Sequence, residues 1–92
     1  MNLESVVRRN IRRIRRSQDL TLDQLSDLTQ AAGMKILRTG LSKLENGAMR
    51  INVDHLMVLA DALGVHPAEL LTDNESYLNV YTAAVARQAA RA

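Results

Sequence analysis

Ninety-two residues without a single Cys, Trp or Phe make one small domain with an aliphatic core. That composition excludes disulfides, thiolate metal sites and cysteine catalysis, and with only two Tyr it argues against binding single strands by base stacking. The net charge of +2 is uneven: residues 1–50 hold ten Lys/Arg against five Asp/Glu, and residues 51–92 hold two against five. A domain presenting one face to a polyanion has this asymmetry, and so does charge patterning on solvated helices.

No apolar run approaches the roughly 20 residues of a membrane span. The early basic residues are followed by more arginines rather than by a signal-peptide core, so the expectation is a soluble, intracellular protein. Nothing alternates at period two over strand length, and Gly and Pro are sparse. The expected fold is all-α.

The first helix is expected from about Leu3 to Gln18, with Val7, Ile11 and Ile14 as its inward stripe. Arg8, Arg12 and Arg16 recur at i, i+4 and i+8 on one flank, while Arg9 and Arg13 face directly away from the core. Six arginines and no lysine suit guanidinium–phosphate contacts, although solvated arginines on a helix read the same way. Arg15 differs, because it lies at the edge of the apolar stripe. Glu45 holds the equivalent edge position on a later helix, so the two are expected to pair, since neither tolerates half-burial alone.

Thr21 and Gln24 form a capping box for a second helix, and Asp23 suits its positive end. Leu22, Leu25, Leu28 and Ala32 are expected inward, with Gly33 ending the helix. Met34-Lys35-Ile36 then leads to a third helix in which Leu37, Leu41 and Leu44 fall at i, i+4 and i+7. At about 100° per residue, its opposite face carries Thr39, Ser42, Lys43 and Asn46, small and polar with one cation and no carboxylate. Such a face suits a DNA major groove; taken alone, it also fits an ordinary surface helix. Asn46-Gly47 stops this helix. Asn52 caps a fourth, Val53 to about Leu63, with Val53, Leu56, Met57, Ala60 and Leu63 inward and Gly64 at its end. Pro67 opens a short fifth helix after His66, and Leu70-Leu71 close the core. Helix, glycine-containing turn, helix is the helix-turn-helix plan.

Five segments carry a likeness: Ile11-Arg12-Arg13-Ile14-Arg15, Leu20-Thr21-Leu22-Asp23-Gln24-Leu25-Ser26, Leu41-Ser42-Lys43-Leu44-Glu45-Asn46-Gly47, Leu56 to Val65, and Glu69-Leu70-Leu71. In order and spacing they resemble the Cro/repressor-type, lambdoid-repressor-like helix-turn-helix family over roughly residues 8–71. The resemblance implies a five-helix domain whose second and third helices bind DNA, and it implies the pairing of Arg15 with Glu45. It puts Arg38, Thr39 and Lys43, with Ser42 beside them, at base-reading positions, and Thr21 and Arg50 at phosphate-contacting ones. Arg38 and Lys43 match the guanine acceptors O6 and N7, and the Thr39 methyl matches thymine. Between Ser26 and Leu41 the chain exceeds the family's compact form by about five residues, read as about one helical turn plus two turn residues. Either Arg38 or Lys35 is then the first residue in the groove. Lys35 joins Arg8, Arg12, Arg16, Thr21 and Arg50 as a backbone-contacting candidate.

Other chemistry finds little support. His55 and His66 read as structural or solvated, and no third nitrogen or sulfur ligand accompanies them. Carboxylates are not clustered, and neither a Ser-His-Asp motif nor a phosphate-cradling glycine loop is present. The expectation is a protein that is no enzyme and takes no metal or cofactor. Residues 3–72 read as the DNA-binding domain and 73–92 as a C-terminal helical tail. The tail packs back, makes a two-fold contact through Tyr77, Tyr81 and Val85, or stays disordered; composition leaves all three open. The function read from these features is a sequence-specific, double-stranded-DNA-binding regulator, a bacterial or phage repressor acting as a homodimer. The rivals are an antitoxin whose tail engages a partner toxin, with DNA binding secondary, and a helical adaptor without a DNA role.

Overall fold

A computed structural model describes residues 2–73. These form five helices: α1 (Leu3–Ser17), α2 (Leu22–Ala31), α3 (Arg38–Asn46), α4 (Val53–Leu63) and α5 (Pro67–Leu70). Among the described residues there is no strand. Tyr77, Tyr81 and Val85 lie outside them.

Four of the five helices start where a side-chain acceptor meets a first-turn N–H. Asn2 Oδ1 accepts from Ser5 N–H ahead of α1. Thr21 and Gln24 close a reciprocal capping box on α2, at 3.1 and 2.8 Å. Asn52 and His55 do the same for α4, and His66 Nδ1 accepts from Ala68 N–H ahead of Pro67 in α5. Both imidazoles thus act as caps, with Nδ1 as the acceptor. The exception is α3, whose N-cap residue Leu37 offers no acceptor.

The core gathers Val7, Ile11 and Ile14 of α1 with Leu25, Ile36, Leu41, Leu44, Leu59, Leu63 and Leu70. Helix α1 packs on α3, α4 and α5, and α2 packs on α3 and α4. Helix α3 is therefore held between α1 and α2 by Leu41 and Leu44, with its other side outward. Two side-chain amides, buried Asn10 and exposed Gln18, tie the helices together. Asn10 Nδ2 donates to the carbonyls of Leu70 (2.8 Å) and Thr72 (2.9 Å) at the end of α5, and Gln18 Nε2 donates to Leu63 O (2.7 Å) at the end of α4.

Four leucine-type expectations fail, each for a geometric reason. Leu37 is not the third anchor of α3: its backbone is extended, the helix starts one residue later, and Ile36 takes the core position. On α2 the buried side is rotated toward Ser26 and Thr29, so Leu28 faces solvent. On α4 the buried side centres on Leu59 and Leu63, which leaves Met57 outside; Val53, at the exposed first position, is outside as well.

The long α2–α3 connection explains the rotation of α2. Gly33 takes φ +106°, and Met34 N–H returns to Thr29 C=O while Gly33 N–H returns to Gln30 C=O, a Schellman closure. Thr29 Oγ1 then accepts from Ile36 N–H (2.9 Å) and donates to Ser26 C=O (2.6 Å), and Ser26 Oγ donates to Ile36 C=O (2.6 Å). Both polar backbone groups of Ile36 are thereby satisfied, so its side chain enters the core without an orphaned amide. This pin fixes where α3 begins.

Candidate nucleic-acid interface

The outward side of α3 carries Thr39, Ser42, Lys43 and Asn46, all exposed, with Arg38 at its first turn. Arg38, not Lys35, opens the helix; Lys35 sits exposed in the connection before it. Arg38 Nε lies 3.8 Å from Asp23 Oδ1, and both side chains are largely in water. An exposed pair at that distance holds Arg38 only weakly, so its guanidinium is free to reach another acceptor.

Beneath this side lies the strongest electrostatic contact in the described residues. Arg15 Nε and Nη2 donate to Glu45 Oε2 (2.7 Å) and Oε1 (2.9 Å), and Arg15 Nη1 donates to Leu20 C=O (2.8 Å). The hydrogen bond to Glu45, with the Coulomb attraction between them, raises the Arg15 guanidinium above its ordinary value against the opposing effect of burial. The bidentate fork joins the last turn of α1 to the last turn of α3 and fixes how α3 is presented.

Beside the C-terminal end of α3 runs an open groove of about 650 Å³, lined by Arg8, Arg9, Arg12, Arg13 and Arg16 of α1 and by Asn46 and Gly47. Its arginines are not equivalent. Arg12 is 55% exposed and its Nε is 3.9 Å from Glu45. Arg16 is exposed in the last turn. Arg8 is only 19% exposed and donates to Glu4 Oε2 at 2.8 Å. Its Nε is buried without a partner, and its guanidinium lies where a Cβ on Gly47 would contact it at 3.7 Å. Gly47 itself has φ +86°, so an added side chain would be strained there as well.

At the start of α2, Thr21 Oγ1 accepts from Gln24 N–H, which leaves its own hydroxyl proton to donate. Arg50, in the loop after α3, is 93% exposed with Glu4 at 3.7 Å. The face thus reads as a polar ridge with the α1 arginines and Arg50 along one border, and with Lys35 and Arg38 beside Asp23 and Asp27 at the start of α3. That arrangement fits a grooved polyanion: phosphates along the borders, base edges against the ridge. Among the described residues no cluster of three or more His, Cys, Asp or Glu side chains is placed to hold a metal ion, and no helix is long and apolar enough to cross a membrane.

Two contributors are absent from the sequence reading. Leu37 projects from the start of α3 rather than into the core, and no periodicity signals this because Ile36 and Leu37 are adjacent and equally apolar. Ser5 joins the arginine groove one turn ahead of Arg8 and Arg9.

A family model described as helix-turn-helix matches residues 11–70, from the core face of α1 to the last core leucine of α5. No curated protein and no solved structure matches the chain.

Proposed function

From the premise that this chain belongs to the Cro/repressor-type helix-turn-helix family, and so is a DNA-binding transcription regulator, we propose that it is a sequence-specific repressor of double-stranded DNA. Helix α3 enters the major groove, where Arg38, Thr39, Ser42 and Lys43 approach base edges. Arg12, Arg16, Thr21, Lys35 and Arg50 hold the sugar–phosphate backbone, with Arg8 contributing by packing beside them. The protein acts by binding alone, without catalysis or a cofactor.

The observation that carries this reading is the exposed, carboxylate-free side of α3, set by the Arg15–Glu45 fork and bordered by the arginine groove. A domain this small reads a short half-site, so we assign it a homodimer with recognition helices about 34 Å apart, one DNA turn. Selection of bound sites from random duplex DNA tests the proposal. The expected product is an inverted repeat whose half-sites are centred about 10 base pairs apart. Recovery of no preferred sequence at low salt would refute sequence-specific regulation.

A further inference from the structure

Leu37 combines two features that folding alone does not favour. It is the N-cap of α3, where leucine is among the poorest residues because it cannot accept from the first-turn N–H groups. It is also 62% exposed, while adjacent Ile36 supplies the core contact. The side chain forms a ridge between two shallow open grooves of about 550 and 340 Å³, both of which are also lined by Lys35 and Thr39. A serine or aspartate here would cap the helix and remove an apolar surface from water. Local rules broken together at one position mark function rather than stability.

The position selects the occupant. Leu37 stands at the start of α3 next to Arg38 and Thr39, which approach base edges, while the larger groove beside it is lined by Lys35 and Arg38 and also by Asp23 and Asp27. In a major groove the apolar group on offer is the 5-methyl of thymine. We propose that Leu37 is a specificity-determining residue whose side chain packs on a thymine methyl at one defined position of each half-site. This rests on the reading of α3 as the recognition helix.

The test combines protein and DNA substitutions on the site selected by the wild-type protein. Each thymine is replaced in turn by deoxyuridine, which lacks only the methyl. Wild type should lose about fourfold in affinity at one position per half-site, the worth of one buried methyl group. Leu37→Ser and Leu37→Ala should bind thymine and deoxyuridine there equally well. Leu37→Ser should also keep or raise the Tm, by up to about 4–8 °C for a restored cap in a domain of this size.

If methyl removal affects wild type and variants alike while specific binding persists, this inference falls and the recognition-helix reading stands. If no duplex sequence is selected, both fall. A sharp drop in Tm for Leu37→Ser would make Leu37 a structural residue and overturn the proposal. So would a changed oligomeric state in sedimentation with the response to methyl removal intact.

Discussion

Removing the Glu45 carboxylate would strand the Arg15 guanidinium at a site where only Leu20 C=O remains to accept from it. Breaking such a part-buried pair from one side costs about 3–5 kcal/mol, most of it the unpaired charge rather than the lost attraction. Glu69 is exposed on α5, and Glu69→Ala should cost under about 0.5 kcal/mol. Urea unfolding of Glu45→Ala and Glu69→Ala therefore separates the two clearly, and similar midpoints for both would mean that the fork contributes nothing net. A second residue-scale expectation concerns Thr29, which is fully buried. Thr29→Val keeps the shape but removes the acceptor for Ile36 N–H, so it should destabilise by about 1–3 kcal/mol. Amide hydrogen exchange at Ile36 should accelerate more than elsewhere in the core. Uniform acceleration would mean the pin is not local.

At the scale of elements, the α2–α3 connection depends on one backbone conformation. A Cβ at Gly33 meets nothing within 4 Å, so Gly33→Ala tests conformation without a clash. At φ +106° the alanine should cost about 1–2 kcal/mol, with an unchanged urea m-value. A variant as stable as wild type would show that the turn closes some other way. The glycine stop, the Thr21–Gln24 box and the Leu41/Leu44 side of α3 are legible in the sequence because each has a local residue signature. The rotation of α2 is not, since its cause is a hydrogen-bond exchange among Ser26, Thr29 and Ile36 that spans ten residues. Polar side chains count as outward in any hydrophobic pattern, and here they are inward. The same blindness hides Asn10, a buried amide on a helix of arginines whose partners lie some sixty residues away. On α3 the outward polar residues follow from helix geometry alone, whereas the placement of Leu37 depends on that unseen pin.

For the whole molecule, charge is concentrated where α1 and the end of α3 meet, and the arginines there differ in how committed they are within the fold. Arg12 stands more than half in water with a distant partner, so its charge is available to a phosphate. Arg8 is held by Glu4 at 2.8 Å and covers Gly47, so binding a phosphate would first require breaking a contact already made. Each phosphate neutralised releases condensed counterions and steepens the dependence of log affinity on log salt by about one unit. Arg12→Ala should therefore weaken binding to all duplex sequences alike and shallow that slope by about one unit. Arg8→Ala should change the slope much less and act mainly through a lower Tm, because it unseats Glu4 and uncovers Gly47. Titrations of both variants over a series of salt concentrations on one selected site, with a thermal melt of each, separate the two behaviours. Equal slope changes for the two arginines would mean that the Arg8–Glu4 pair opens on DNA, and that burial in the free protein does not decide which cations reach the backbone.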